Sequence, residues 1–372
     1  MSGVPRLAVV TNDYPPRPGG IQQYLGNLVD AYPGEVLVVA PAAAAVAGTR
    51  RGEAIVRRGP HRFMWPTPAV ARFVAEALEP FAPEAILFGA PHPLPALAVR
   101  LGKRFRAPTG VLCHGAEVTI PAAIPGARQV LAAMLRRTDA RFAVSRFTAK
   151  RVATLTGRDV TYVGAGVDAA AFVAAPPPPA GVEVATFVVG CVSRFVPRKG
   201  QRRLLEAAAR VRRDGLPVEV LLVGRGRDER RLRTMAEQLA VPTRFAVDVP
   251  WEALPGLYAQ MDVFCMPCRS RWGGLEVEGL GLVYLEAAAA GLAVLAGDSG
   301  GAPETVVPGE TGYIVHDVAS IAEGIAMVLG DPGHGRAMGA AGRRRVEESF
   351  TWPAVAERLA SAFTALRSNP RS

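Results

Sequence analysis

The feature that most constrains the fold is a repeated alternation of short, continuously apolar runs with longer helical patterns. The apolar runs in the first half are RLAVV, EVLVVAP, AILFG, TGVLCH and ARFAVS. Those in the second half are TFVVGCVS, VEVLLVG, DVFCMP and AVLAG. Runs that are apolar at every position are typical of parallel strands buried on both faces. The alternation therefore predicts an α/β fold with doubly wound parallel sheets.

A proline-rich stretch divides this alternation into two parts. Residues 174–181 read AAPPPPAG, and four consecutive prolines can join neither a helix nor a central strand. We therefore predict two Rossmann-like domains, residues 1–174 and 182–350, with an interdomain cleft that holds one ligand from both sides. Residues 352–372 show helical spacing, but periodicity alone does not assign this helix to either domain.

The composition narrows the possible functions. The chain has 372 residues, of which 49% are hydrophobic, so it is globular rather than disordered. Its formal charge of +10 indicates an anionic partner such as a membrane, a nucleic acid or a phosphorylated substrate, although arginine usage can also reflect genomic base composition. The four cysteines suggest no disulfide framework, and the pair Cys265 and Cys268 lacks the further ligands of a zinc site.

A glycine pair follows the first apolar run. Gly19 and Gly20 lie in TNDYPPRPGGIQQYL, directly before a helical pattern. Glycines in this position let the backbone approach a phosphate, and a helix N-terminus favours its negative charge. The stretch lacks GxGxxG spacing, which argues against a nicotinamide-dependent dehydrogenase. An ordinary strand–helix turn remains an alternative explanation.

Two further strand ends carry polar residues. CVSRFVPRKGQ places Arg194 and Lys199 in a loop after an apolar run, where two cations suit a diphosphate. His114 follows the run TGVLC beside a glycine, which is a position typical of a cleft residue. A solvated basic loop and a structural histidine are the alternatives.

Two carboxylates delimit the apolar stretch EGLGLVYLE. If a helix begins near Gly281, Glu278 and Glu286 would lie about 12 Å apart at a rise of about 1.5 Å per residue. This separation exceeds the roughly 5–9.5 Å of a glycosidase carboxylate pair and suits a long ligand such as a sugar nucleotide. Gly279 and Gly281 would then form a diphosphate cradle at the helix start. The alternative interpretation is structural: one glutamate caps the helix, and the other is buried with its hydrogen bonds satisfied within the protein.

Together these motifs resemble glycosyltransferase family 4, whose members are retaining enzymes with the GT-B fold. EGLGLVYLE is similar to the E-x7-E motif of that family, and SRFVPRKG is similar to its donor-phosphate motif. TNDYPPRPGGIQQYL, RSRWGGLEVEGLGLVYLEA and SGGAPETV carry a closer similarity to the actinobacterial phosphatidylinositol mannosyltransferases. The resemblance covers nearly the whole chain and implies that the closing helix, residues 352–372, packs on the N-terminal domain.

The resemblance implies metal-independent, cofactor-free transfer of mannose from GDP-mannose to a phosphatidylinositol mannoside, which receives its second mannose. It implies catalytic roles for His114, beside the anomeric carbon, and for Glu278, at the hydroxyl groups of the transferred sugar. The implied donor-binding residues are Gly19, Gly20, Arg194, Lys199, Val249, Gly279, Leu280, Gly281, Leu282, Val283 and Glu286, the last at the ribose. The implied acceptor-side residues are Asp13, Tyr14 and Gln22. The segment FAVDVP around Val249, where the base would stack, is less typical of the family.

A lipid acceptor implies an anionic membrane surface as partner. HRFMWPTPAVARFVAEALEPF and RQVLAAMLRRTDARFAVSRFTAKRV mix apolar residues with arginine, as membrane-surface helices do, although ordinary surface helices have similar patterns. We expect a cytoplasmic, peripheral protein on the inner face of the plasma membrane. Another nucleotide-hexose donor or a soluble acceptor stays open. A nicotinamide-dependent enzyme and a nucleic-acid binder are remote alternatives, since no module for nucleic acid is present.

Overall fold

The computed structural model describes residues 3–17, 19–43, 54–172 and 186–368. The chain forms two compact units, one made of Met1–Gly166 with Trp352–Ser372 and the other of Val167–Thr351. The proline-rich stretch at 174–181 lies outside the described residues. Within the described residues, no helix combines the length and the apolar character that a membrane span requires.

The first unit contains a seven-stranded parallel sheet. Its strands are β1 Leu7–Val10, β2 Val36–Ala40, β3 Ile55–Arg58, β4 Ala85–Phe88, β5 Thr109–Cys113, β6 Ala140–Ala143 and β7 Thr161–Tyr162. Its first six helices are α1 Gly20–Ala31, α2 Pro68–Leu78, α3 Ala98–Phe105, α4 Ala116–Ala122, α5 Ala127–Arg136 and α6 Arg146–Thr156. The strand order is β3-β2-β1-β4-β5-β6-β7.

The second unit contains a six-stranded parallel sheet. Its strands are β8 Phe187–Val192, β9 Val218–Val223, β10 Thr243–Ala246, β11 Val263–Met266, β12 Ala293–Gly297 and β13 Gly312–Val315. Its helices are α7 Gln201–Arg213, α8 Glu229–Gln238, α9 Leu254–Tyr258, α10 Leu282–Ala289, α11 Val318–Gly330 and α12 Pro332–Ser349. The strand order is β10-β9-β8-β11-β12-β13.

Both sheets follow the doubly wound Rossmann-like plan that the apolar runs predict, so the predicted fold class is confirmed. Every residue of β1, β2 and β4 is buried, as expected for parallel strands covered on both faces. In each sheet the strand order reverses beside the first strand, between β1 and β4 in the first unit and between β8 and β11 in the second. Ligands of such sheets bind outside the carboxyl ends of the strands at this reversal.

The last helix, α13 Trp352–Ser368, packs within the first unit. The ring of Trp352 meets the ring of Tyr24 on α1 edge to face, with centroids 5.1 Å apart. The ring of Phe363 lies 5.3 Å from that of Phe142 on β6. These apolar contacts hold the helix to the unit on which the family resemblance places residues 352–372.

The division of the chain differs from the predicted one. We predict a first domain that ends at residue 174, whereas the first unit ends at Gly166. The ring of Phe172 packs 5.4 Å from that of Tyr258 in the second unit. The N–H of Val167 also donates a hydrogen bond of 2.9 Å to the carbonyl of Phe350. The chain therefore enters the second unit before the proline-rich stretch that composition marks as a linker.

The packing of α13 generates a stability prediction. Phe363→Ala should lower the free energy of unfolding by about 3–5 kcal/mol, because the substitution removes a fully buried aromatic ring. Guanidinium denaturation followed by circular dichroism measures this change. Ser361→Ala, at an exposed position of the same helix, is the matched control. An equal, small effect of both substitutions would show that the ring does not anchor the helix.

Candidate active site

Charged residues of the second unit meet where its strand order reverses. Arg198 and Lys199 lie in a short 3-10 turn, Pro197–Lys199, in the loop after β8. Glu278 follows β11 and precedes α10, and Ser299 follows β12. Because these strands are neighbouring and parallel, their carboxyl ends bring the three loops to one edge of the sheet.

Two cations hold Glu278 by a single carboxylate oxygen. Lys199 Nζ lies 2.7 Å and Arg198 Nη1 lies 2.5 Å from Glu278 Oε2. Arg198 Nε also lies 3.7 Å from Oε1 of Glu276. The other oxygen of Glu276 lies 3.2 Å from Nη1 of Arg271. The five side chains form a row of alternating charge, which we call the ion cluster.

The electrostatics of this cluster keep Glu278 ionised. Burial alone would raise the pKa of Glu278, which is only 8% exposed. The charges of Lys199 and Arg198, together with their hydrogen bonds to the carboxylate, outweigh burial and lower the pKa to about 2. At neutral pH the site therefore contains a carboxylate whose charge is compensated by two cations in a nearly dry environment.

The backbone of Glu278 is fastened to the loop after β12. Its N–H donates to Ser299 Oγ at 3.1 Å, and its carbonyl accepts a hydrogen bond of 3.0 Å from the N–H of Gly301. Gly300 has φ +59°, and a Cβ there would lie 2.0 Å from the Glu278 carbonyl oxygen. Only glycine fits this left-handed, crowded position. The motif SGGAPETV therefore supports the motif EGLGLVYLE directly.

The glycines of EGLGLVYLE end at a helix start, as the pattern predicts. Gly281 has φ +88°, and α10 begins at Leu282. Gly279 is partly exposed, whereas Leu280 is buried and anchors the turn. Since the first N–H groups of a helix have no partner within it, those of Leu282 and Val283 are suited to an anionic ligand.

Glu286 has a different environment from Glu278. The hydroxyl of Tyr258 donates to Glu286 Oε2 at 2.8 Å, and no cation pairs with this carboxylate among the described residues. Burial raises the pKa of Glu286, and the hydrogen bond from Tyr258 offsets only part of that effect. The hydroxyl groups of a ligand would compensate the desolvation of this carboxylate.

Arg194 and Val249 are predicted donor-binding residues of the second unit that take no part in the ion pairs described for the ion cluster. The side chain of Arg194 is exposed and forms no ion pair within the described part of the chain, while its carbonyl accepts a hydrogen bond of 2.9 Å from Gln201. Val249 follows β10 and is partly exposed. Arg198, which sequence reasoning passed over, occupies the place beside Lys199. The feature of the sequence that could have identified Arg198 is its adjacency to Lys199 in PRKG.

In the first unit, His114 lies at the carboxyl edge of the sheet, beside the loop after β4. It follows β5 and is 9% exposed. Its Nε2 lies 3.0 Å from the carbonyl of Gly89, directly after β4, and the ring of Tyr24 packs against it edge to face at 5.2 Å. Because a carbonyl only accepts, Nε2 carries the proton in this contact, and Nδ1 is an acceptor whenever the ring is uncharged. The described residues donate no hydrogen bond to Nδ1.

A second cluster of predicted residues joins the end of β1 to the start of α1. Gln22 Nε2 donates to Asp13 Oδ1 at 2.7 Å. A Cβ at Gly19 would lie 2.1 Å from the side-chain oxygen of Gln22, so that glycine makes room for the contact. Burial raises the pKa of Asp13, and the nearby charges of His114 and Arg17 oppose this effect. Asp13 and His114 are thus electrostatic neighbours.

The other two predicted residues of this unit flank the same loop. Gly20 is the first residue of α1, and no atom lies within 4 Å of the position of a Cβ there. Tyr14 is only 2% exposed. The helix N-terminus is therefore open on the Gly20 side, and Tyr14 contributes to the packed base of the loop.

The four cysteines are free and buried. Within residues 3–17, 19–43, 54–172 and 186–368, no group of three or more histidine, cysteine, aspartate or glutamate side chains is arranged to hold a metal ion. The metal independence that the family resemblance implies stays a prediction.

Comparison with known proteins accounts for both units. Residues 18–171 match the model for Glycosyltransferase Family 4, and residues 180–345 match that for Glycosyl transferases group 1. The chain is 38% identical to the GDP-mannose-dependent monoacylated alpha-(1-6)-phosphatidylinositol monomannoside mannosyltransferase of Corynebacterium glutamicum, over 100% of both chains. It is 39% identical to the GDP-mannose-dependent alpha-(1-6)-phosphatidylinositol monomannoside mannosyltransferase of Mycolicibacterium smegmatis, over 97% of this chain and 99% of the relative.

Solved structures share the fold at lower identity. Anabaena Alr3699/HepE in complex with UDP and glucose matches with a TM-score of 0.76 and 19% identity, covering 97% of this chain and 100% of that one. Sucrose-phosphate synthase from Thermosynechococcus elongatus matches with a TM-score of 0.77 and 21% identity, covering 98% and 99%. These likenesses concern the fold, whereas the full-length identity to the mannosyltransferases shows the family. The chain belongs to glycosyltransferase family 4, in the group of the phosphatidylinositol monomannoside mannosyltransferases.

Proposed function

We propose that this chain transfers mannose from GDP-mannose to a phosphatidylinositol monomannoside, which becomes the dimannoside, with retention of the anomeric configuration. The observation that carries the proposal is the ion cluster around Glu278 at the strand-order reversal of the second unit. It stands in a chain that is 38% identical, over its full length, to an enzyme named for this donor and acceptor.

The diphosphate of the donor is proposed to bind at the loops that follow β8 and β11. Lys199 lies beside Glu278, and the exposed guanidinium of Arg194 forms no ion pair with the described residues. The N–H groups at the start of α10 add positive potential at Leu282 and Val283. Negative charge builds on the departing GDP during transfer, and these fixed groups stabilise it electrostatically.

The two glutamates are proposed to bind opposite ends of the donor. Glu278 accepts hydrogen bonds from the hydroxyl groups of the transferred mannose, since it is ionised and held in one orientation. Glu286 accepts hydrogen bonds from the ribose hydroxyl groups, which would relieve its desolvation. Val249 is proposed to lie near the base.

The first unit is proposed to bind the reacting hydroxyl groups. Because Nε2 of His114 already bonds to the carbonyl of Gly89, His114 offers its other ring nitrogen, Nδ1, as an acceptor to a substrate hydroxyl. The Asp13–Gln22 pair supplies further polar groups, from the loop after β1 and the start of α1. In a retaining transfer, the acceptor hydroxyl attacks on the face from which GDP departs, so the proton of that hydroxyl can pass to the departing phosphate.

The aromatic loop before α2 is proposed to contact the membrane. Phe63 and Trp65 are 40% and 61% exposed, and their rings lie 5.1 Å apart. Between them, Met64 is fully buried and exchanges two backbone hydrogen bonds with the side chain of Asn12, at 2.7 and 3.1 Å. The loop is therefore anchored at its centre while two aromatic rings point outward, as at a membrane interface.

The α4–α5 segment is a second proposed membrane contact. Ile120, Ile124 and Val130 are 43%, 53% and 60% exposed. No acidic residue lies between Glu117 and Asp139, whereas three arginines do. Exposed apolar side chains among unopposed positive charges suit an anionic lipid surface. The proposed location is the inner face of the plasma membrane.

The first test of the function is transfer of labelled mannose from GDP-mannose to phosphatidylinositol monomannoside, followed by organic extraction. Label should enter the lipid phase, and Glu278→Gln should reduce the rate at least about a hundredfold because the sugar loses a charged acceptor. Glu310→Gln, at an exposed loop position, is the control. Tight GDP binding with label left in water would indicate a soluble acceptor. Protection from melting by a nicotinamide cofactor but not by GDP would refute the proposal.

A second prediction concerns Glu286→Gln. Because the folded pKa of Glu286 is raised, the folded chain holds more protons than the unfolded chain between the two pKa values, and stability falls as pH rises through that window. At neutral pH, Glu286→Gln should therefore melt at a higher temperature than the wild type. Affinity for GDP should fall about tenfold, because the ribose loses a charged acceptor. Thermal melting with and without GDP measures both effects, and a lower melting temperature without GDP would contradict the burial argument.

A third prediction concerns the membrane. The protein should co-sediment with phosphatidylinositol vesicles at low salt. Two double variants should each reduce the bound fraction several-fold: Phe63→Ser with Trp65→Ser, and Ile120→Ser with Ile124→Ser. Val99→Ser with Met327→Ser removes exposed apolar side chains elsewhere and is the matched control. Equal recovery of wild type in the supernatant with and without vesicles would contradict both proposed contacts.

A further inference from the structure

The carboxylate of Glu278 is asymmetric in its contacts. Both cations, Lys199 and Arg198, approach Oε2, at 2.7 and 2.5 Å. Within the described residues, Oε1 accepts no hydrogen bond, and it is not among the buried side-chain atoms that lack a partner. Oε1 therefore keeps contact with solvent while Oε2 is fixed. One oxygen anchors the carboxylate, and the other is available to a ligand.

We propose that Arg198 is a positioning residue for the donor sugar: by holding Oε2 of Glu278, it presents Oε1 to a hydroxyl group of the transferred hexose. This inference rests on the proposed function. It assigns Arg198 a role distinct from that of a phosphate ligand, although it is adjacent to Lys199 in the sequence.

The contacts of Arg198 suit it to position Glu278. Its side chain is 12% exposed and lies between two carboxylates, Glu278 at Nη1 and Glu276 at Nε. Glu276 is itself paired with Arg271 at 3.2 Å, and the backbone of Arg271 donates a hydrogen bond of 3.0 Å to the carbonyl of Glu276. The hydrogen bond at Nη1 and the longer ion pair at Nε together restrict the orientation of the guanidinium, and so they restrict the carboxylate of Glu278 that it contacts.

The exposed guanidinium of Arg194 provides the contrast. Arg194 forms no ion pair with the described residues, so it can reach an incoming phosphate without breaking an existing contact. Arg198 would have to leave two carboxylates to do the same, and Glu278 would then remain buried with one cation. Removal of one partner from a buried pair is strongly unfavourable. The two arginines of SRFVPRKG therefore have different tasks.

The second cation matters because Glu278 is buried. Besides Lys199 and Arg198, the titratable groups of the described residues that interact electrostatically with Glu278 are the thiol of Cys268 and the hydroxyl of Tyr284, and burial raises the pKa of both. Both are neutral at physiological pH, so neither stabilises the anion by charge. Without Arg198, a single lysine would oppose the desolvation of Glu278, and protonation of the carboxylate would begin at a less acidic pH.

The test compares the binding of GDP and of GDP-mannose by titration calorimetry, with the full chain. Arg198→Gln should leave the dissociation constant of GDP within about twofold and weaken GDP-mannose about tenfold, because only the sugar contacts Glu278. Arg198→Lys should recover part of the loss. Arg210→Gln, an exposed arginine at the far end of α7, is the matched control. Equal weakening of GDP and GDP-mannose would make Arg198 a phosphate ligand and overturn the proposal, as would no change in either.

The pH dependence separates positioning from simple folding support. As the pH is lowered, the affinity of Arg198→Gln for GDP-mannose should begin to fall at a less acidic pH than that of the wild type, because Glu278 takes up a proton more readily with one cation than with two. An affinity of Arg198→Gln that begins to fall at the same pH as that of the wild type would overturn the proposal. If Arg198→Gln does not fold, Glu276→Gln can be used instead, because it removes the ion pair between Glu276 and Arg198. Glu276→Gln should also weaken GDP-mannose relative to GDP. Wild type that binds neither nucleotide would refute the proposed function itself, whereas normal binding with an unchanged ratio refutes only this inference.

Discussion

The contact between Glu278 and its two cations is the interaction on which the architecture of the candidate site depends. It joins the loop after β8, which carries Arg198 and Lys199, to the loop after β11. The loop after β12 is added through the backbone of Glu278, which bonds to Ser299 and Gly301. A buried charge is tolerated only when it is paired and hydrogen-bonded, so the pairing of Glu278 with Arg198 and Lys199 fixes how these loops meet.

Three carboxyl groups, two in the second unit and one in the first, differ in how their burial is compensated. Glu278 has two cations, and its pKa falls to about 2. Glu286 has the hydroxyl of Tyr258, and Asp13 has the amide of Gln22, and burial raises the pKa of both carboxyls. Uncompensated desolvation marks the places where a polar ligand lowers the free energy most. Glu286 and Asp13 are therefore the carboxyls most dependent on what binds there.

The strand predictions succeeded in the centre of each sheet and failed at its edges. All nine apolar runs correspond to strands, β1, β2, β4, β5, β6, β8, β9, β11 and β12. The strands without a predicted counterpart are β3, β7, β10 and β13, which are the two edge strands of each sheet. β3 reads IVRR and is only partly buried, since an edge strand needs no continuous apolar run. Local hydrophobicity therefore indicates the buried central strands. The edge strands are determined by their hydrogen bonds to the neighbouring strand.

By itself, the sequence determined the fold class, the central strands, and the motifs around His114, Lys199, Glu278 and Glu286, because burial on both faces and helix starts at glycine are local requirements. Only the tertiary structure decided which arginine holds Glu278. Arg194 and Arg198 are equivalent cations in a string of residues, but the 3-10 turn at Pro197–Lys199 turns Arg198 onto the carboxylate and leaves Arg194 exposed. Likewise, composition placed the domain boundary in the prolines, whereas the packing of Phe172 placed it at Gly166. Contacts between residues distant in sequence carry that information, and no local pattern contains it.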